Sequence, residues 1–309
     1  MRHAWVPSLL LLAACGSPGE RSDEPARPRV ELTRASDLPE RHRELLAAYG
    51  RGGEDWEVAR REALADPELE RFLVDNLVIE MVRAWSSMAG EIAPRSREAF
   101  ERAQGELARL GPASVDVLAG LLGVRDGVVS QLAARTLERI GRGAVAPVAA
   151  VLADSDERET RRRAAELLES LPHGGDDEPA AQAALAAALA DDPEWIVRAQ
   201  AARALGVRGA RDRATEPARR ALERALSDGD ATVELSAAEG LAQLGDPLAV
   251  PALIGALERA VGAGDVRAVR ALERGLAGST GERERRDLAG WRSWWYDHRD
   301  ALLKAQRGG

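Results

Sequence analysis

The sequence predicts an all-α fold: an α-solenoid of about five to six stacked helix pairs with a helical cap at each end. Three observations carry this. A nine-residue stretch recurs, reading AARTLERIG at Ala133–Gly141, AAELLESLP at Ala164–Pro172, AARALGVRG at Ala201–Gly209 and AAEGLAQLG at Ala237–Gly245. Degenerate copies stand at Ala103–Gly111 and Ala268–Leu276, so the copies begin at residues 103, 133, 164, 201, 237 and 268, the spacing of a stacked array. A second leucine lies upstream of each small pair from the second copy onward, at Leu122, Leu152, Leu189, Leu226 and Leu257. The composition agrees: charged residues make up 30% and aromatics 4%, which suits helices built from Ala and Leu.

Each copy reads as the second helix of a pair. Its two leading small residues let a neighbouring helix approach closely. The Leu four positions on (Leu137, Leu168, Leu205, Leu241, Leu272) shares their face and should be buried. Where a Gly ends a copy, it can adopt the left-handed conformation that stops a helix. Acidic, turn-prone runs separate the second helix from the first: Asp154-Ser155-Asp156, Asp191-Asp192-Pro193 and Ser227-Asp228-Gly229-Asp230. One such unit cannot bury its apolar face alone, so units must stack.

These residues resemble HEAT repeats, in the short form also seen in phycobilisome-lyase-like proteins. The resemblance is clearest in Asp191-Asp192-Pro193-Glu194-Trp195-Ile196-Val197-Arg198, followed by Ala201, Ala202, Leu205 and Gly206, and covers roughly Ser96 to Thr280. The Arg of that motif recurs at Arg161, whereas other copies carry Ser130 and Glu234 there. The resemblance implies a right-handed solenoid over residues 96–280 whose second helices line a concave, partner-binding face.

In chain order, residues 1–14 read as a leader. Arg2 and His3 are followed by an apolar run too short to span a bilayer, ending in Leu12-Ala13-Ala14-Cys15. That ending resembles the lipobox of bacterial lipoproteins, which implies cleavage before Cys15 and lipid on Cys15. Gly16, in place of an Asp, favours the outer membrane. Cys15 is the single cysteine, so no intrachain disulfide can form. Residues 15–36, with Pro18, Pro25 and Pro28, read as a disordered tether. Its reach is about 25 Å.

Residues 37–95 read as an N-terminal helical cap. Helices are expected at Glu40–Tyr49, stopped by Gly50, and at Asp55–Ala65; a third is capped by Asp66, with Pro67 at its first position. The third carries Leu69, Phe72, Leu73, Leu77, Met81, Trp85 and Met88 as one stripe. At the other end, residues 281–309 form a Trp-rich cap helix with Trp291, Trp294, Trp295, His298 and Leu302 in line. An exposed aromatic platform for glycan or peptide is the alternative reading of that stripe.

No pattern in the chain spells out a reaction. The histidines (His3, His42, His173, His298) have no partner at metal-ligand spacing, and the H-E-x-x-H, G-x-S-x-G, G-x-G-x-x-G and Gly-Lys-Ser/Thr motifs are missing. The expectation is therefore a chain with no catalytic residues, cofactor or metal. A net charge of −8 argues against nucleic acid as a partner. Against that charge, Arg161, Arg162 and Arg163 on one second helix and Arg198, Arg203 and Arg208 on the next make a basic ridge, with Trp195 beside it. The ridge reads either as solvated Arg balanced by Glu159, Glu166 and Glu194, or as a site for an acidic peptide or anionic envelope glycan. A charge ladder is also expected: the third residues of successive copies, Arg135, Glu166, Arg203, Glu239 and Arg270, alternate in sign and would pair between neighbours. The function expected is a lipid-anchored, exported scaffold of the bacterial cell envelope that binds protein or peptide partners. Alternatives are an envelope glycan-binding protein and, from the phycobilisome-lyase-like resemblance, a chromophore-attaching enzyme.

Overall fold

A computed structural model describes residues 38–87, 94–212, 215–282 and 286–308. The leader, Cys15, the tether and Met88 lie outside the described residues. Among those described, every regular element is a helix, and none is long and apolar enough to cross a membrane. They form two compact units. The first runs to Val117 and takes in Asp126–Leu132; the second holds Leu118–Arg125 and everything from Ala133 onward.

The first unit contains α1 (Glu40–Arg51), α2 (Gly53–Leu64), α3 (Pro67–Ser87) and α4 (Pro94–Leu110). The expected stop at Gly50 falls two residues late. Gly52 and Gly53 hold φ of +70° and +64°, so the chain reverses there. Asp66 caps α3 as read, its Oδ1 accepting from the Glu68 and Leu69 amides. In the α3 stripe Leu69, Leu73, Leu77 and Met81 are buried, while Phe72 stacks on His42 at 4.0 Å and Trp85 tilts against Phe100 at 5.5 Å. The degenerate first copy lies on α4, which packs on α3. Arg102 of α4 sits 4.5 Å over the Tyr49 ring. Burial, reinforced by Glu80, pushes the Tyr49 phenol up to about 12.

The chain continues through α5 (Pro112–Gly120) and α6 (Gly127–Ile140), which the unit boundary divides. The second unit then stacks four helix pairs: α7 (Val145–Asp154) with α8 (Arg158–Ser170), α9 (Glu178–Asp191) with α10 (Trp195–Asp212), α11 (Thr215–Ala225) with α12 (Ala231–Leu244), and α13 (Val250–Ala263) with α14 (Val266–Thr280). The second helices contact one another in order, α8 to α10 to α12 to α14. The leucine line is the core: Leu137, Leu168, Leu205, Leu241 and Leu272 are all at most 5% exposed, as are their first-helix counterparts Leu152, Leu189, Leu226 and Leu257.

The small residues do more than the repeat pattern suggests. A Cβ on Gly206 would lie 2.5 Å from the Gly240 Cα, so α10 and α12 touch backbone to backbone. Gly209, expected to stop a helix, sits inside α10 instead. A Cβ there would meet Ala218 and Leu244 at 2.8 Å, so its missing side chain admits α11 and α12. Gly141 and Gly245 do take positive φ, +77° and +67°. After α14 the chain ends in α15 (Leu288–Gly308), which packs on α13 and buries Trp291 and Trp294. Trp294 donates to Glu282 at 3.1 Å and stacks on His298 at 4.4 Å.

Candidate interaction surface

The turns inside the first three of the four pairs are stitched together by arginines. Arg161, one turn into α8, donates to the carbonyls of Ser155 and Asp156 in its own turn, at 3.0 Å each. It also forms a bidentate pair with Asp192 of the next turn, at 2.6 and 3.1 Å. Arg198 repeats this one pair on: it donates to Asp192 and Pro193 carbonyls at 2.9 and 3.3 Å and clamps Asp228 at 2.9 and 2.8 Å. Planar guanidinium is suited to such a bridge, because it can serve carbonyls and a carboxylate together. The Asp192 bond holds Arg161 firmly in its charged form, and the Arg198 bond holds the Asp228 carboxyl below its ordinary value.

The other residues of the expected basic ridge are also engaged. Arg162 pairs with Glu159 at 2.8 Å and Glu166 at 2.9 Å, and Arg163 with Glu159 at 2.9 Å. Held first by Arg162, the Glu159 carboxyl falls to about 2. Arg203, half exposed, lies 3.8 Å from Glu169. Trp195, the first residue of α10, is 43% exposed. Arg208 is not on the surface at all. Its guanidinium is 0% exposed and pairs with Glu178, 1% exposed, at 2.5 and 3.0 Å. It also donates to the carbonyls of Leu168, Leu171 and Pro172. That bond set pins the seven-residue connection between α8 and α9, where the copy spacing widens, and Arg142 ties the same segment through the carbonyls of His173 and Gly174. Burial, then Arg208 and Arg211, hold the His173 imidazole below its ordinary value.

The charge ladder does not form. Its members are exposed in register, but among the described residues none of the four expected pairs closes. Glu166 pairs within its own helix to Arg162. Arg203 goes to Glu169, and Glu239 to Arg274 at 3.3 Å, each a turn away from the expected partner. In both cases the partner lies three or four residues C-terminal of the level position, on the same face of the neighbouring second helix.

Among the described residues no group of three or more His, Cys, Asp or Glu is placed to hold a metal ion. The family model for HEAT repeats matches residues 115–206 and, overlapping them, 182–273, together just over half of the chain. The chain belongs to the HEAT-repeat family. The Arg–Asp clamps are thus bonds between successive HEAT repeats.

Among the solved structures similar to this HEAT chain are two engineered or designed proteins and one human enzyme. An engineered protein from a structural-genomics consortium is 21% identical, covering 67% of this chain and 96% of its own, with a TM-score of 0.41. A designed armadillo repeat protein is 15% identical over 66% of this chain and 99% of its own, with a TM-score of 0.40. Human deoxyhypusine hydroxylase, solved with glycerol, is 19% identical over 81% of this chain and 93% of its own, with a TM-score of 0.34. Comparison with curated protein sequences finds no match.

Proposed function

We propose that this HEAT chain is a non-enzymatic, exported scaffold, anchored through lipid on Cys15, that holds a protein or peptide partner of the cell envelope along the turn edge of its second unit. The observation that supports the site is a row of apolar side chains in register. The first residues of α10, α12 and α14 are Trp195, Ala231 and Val266, all exposed, with Trp195 at 43% and Val266 at 62%. An exposed indole on a rigid helix start, backed by clamped arginines, is a preformed anchor of the kind that dominates interfaces.

The partner's charge follows from the clamps. Arg161 and Arg198 are spent on Asp192 and Asp228. Asp156, Asp191, Asp230 and Asp265 on the same edge have no ion-pair partner within 4.0 Å among the described residues. A segment with Lys or Arg flanking an apolar residue complements that edge, the opposite sign from the partner a basic ridge would take. Membrane attachment rests on the lipobox resemblance, since one short acyl chain holds only marginally and lipoproteins carry several.

The test uses the full-length chain carrying a photo-crosslinking residue in place of Trp195 or, as control, of Arg220 on the flank of α11. Crosslinked peptides from envelope fractions are sequenced. Adducts specific to position 195, on a basic and apolar segment, support the reading. Equal adducts at both positions, or acidic ones, refute it. Cys15→Ser should separately release the protein from membranes or block its processing; unchanged partition and processing would sink the anchor.

A further inference from the structure

The Arg–Asp clamp of the turn edge is replaced at the third joint, where the arginine crossing back to the α11–α12 turn among the described residues is Arg259 of α13, on neutral acceptors. Arg161 and Arg198 are the fourth residues of α8 and α10, but the fourth residue of α12 is Glu234. It is half-buried, and the charged groups that face it are Asp228 from the α11–α12 turn, Arg259 from α13 and Asp265 from the α13–α14 turn. Arg259 is already bonded to the Leu226 carbonyl at 3.0 Å and the Ser227 hydroxyl at 3.1 Å. Asp265 is occupied as the cap of α14, accepting from the Arg267 and Ala268 amides. The joint therefore sets a carboxylate where its neighbours set a guanidinium, facing Asp228, which Arg198 already clamps, as well as Asp265 and Arg259. At the far end of the same helices the backbones touch. A Cβ on Gly278 would lie 2.6 Å from the Ala242 carbonyl oxygen, and one on Gly275 3.1 Å from that of Ala238.

We infer that the α12–α14 joint is a pH-responsive hinge that pivots on Gly275 and Gly278 and closes at its turn edge when Glu234 is neutral. Burial raises the Glu234 carboxyl above its ordinary value; Asp228 and Asp265 add to this and Arg259 opposes it. The sign follows. When the edge opens, Glu234 returns to water and ionises at the ordinary glutamate value. As pH rises through and beyond that value, the closed joint alone must hold a disfavoured charge, so opening becomes easier. In acid the group is neutral in both states and the penalty vanishes. The backbone contact at Gly275 and Gly278 has no charge to titrate and stays as the pivot. The hinge does not depend on what binds the edge.

The test is hydrogen–deuterium exchange of the full-length chain, read as protection factors between about pH 4 and 7 so that intrinsic exchange is divided out. Protection of the first two turns of α14 should fall several-fold with rising pH, while the clamped starts of α8 and α10 change less. Glu234→Gln, of nearly the same shape, should flatten the α14 profile and hold it at its acid level. Arg259→Gln removes the opposing cation and keeps a side-chain donor for the Leu226 carbonyl, so it should steepen the profile. An α14 profile that is flat in the wild type, or that Glu234→Gln leaves unchanged, overturns the hinge. If Arg259→Gln unfolds the chain, the wild type and Glu234→Gln still decide.

Discussion

Removing Arg208 should be among the most damaging single changes in the second unit. Arg208→Met keeps most of the side-chain bulk and deletes the guanidinium. The Glu178 carboxylate, 1% exposed, then retains the Gly174 amide and the Gln182 side chain as donors but loses its counter-ion. The carbonyls of Leu168, Leu171 and Pro172 lose a donor as well. Breaking one side of a buried ion pair costs about 3–5 kcal/mol, and each kcal/mol is worth about 2–4 °C in a chain of this size, so the melting temperature should fall by roughly 6–20 °C. The double variant Arg208→Met with Glu178→Gln should recover a large part of the loss, because no charge is left stranded.

The pH dependence gives a second, independent reading of the same pair. In the wild type, burial opposes ionisation of Glu178, but the bonds from Arg208, Gln182 and Gly174 outweigh it and the carboxyl lies below its ordinary value. That stability is present above the ordinary glutamate value and is lost as pH falls through the folded one. In Arg208→Met burial dominates, the carboxyl moves up, and acid relieves the strain. Thermal unfolding followed by circular dichroism should therefore show the two proteins converging as pH falls. A loss below about 1 kcal/mol at neutral pH, the scale of an exposed pair, or a double variant no better than the single one, would refute the role given to this pair.

Two further outcomes follow from the core. Leu205→Ala, at a site 1% exposed in the centre of the leucine line, should cost about 2–5 kcal/mol by denaturant titration. Gly206→Ala should destabilise by about 1–3 kcal/mol, although Ala is the better helix former, because its methyl would fall 2.5 Å from the Gly240 Cα; a neutral or stabilising result would show that α10 and α12 do not meet as closely as described.

The sequence alone determined the all-helical class, the repeat register and the buried leucines. Helical periodicity is local: a Leu four residues after a small pair shares its face wherever the helix is placed. The turns were legible for the same reason, since Asp and Gly favour particular backbone conformations on their own. Even the repeated Arg at positions 161 and 198 was visible as a motif residue. What it bonds to was not, because its carboxylate lies one repeat on, at Asp192 and Asp228. Arg161 and Arg198, placed on a basic ridge by their positions on successive second helices, close clamps on those carboxylates. The ladder failed likewise, since stacking brings Glu169 to Arg203 and Arg274 to Glu239, each one turn from the position level with it. Gly209 reads as a stop because glycine at the end of a copy can take the left-handed backbone that ends a helix; only the arrival of Ala218 and Leu244 against it makes it a contact within α10. Arg208, grouped with surface arginines by its place in the chain, is buried because the wider spacing after α8 leaves backbone carbonyls that need a donor. Tertiary structure decided each of these, since each depends on which group comes within about 3 Å after the repeats stack.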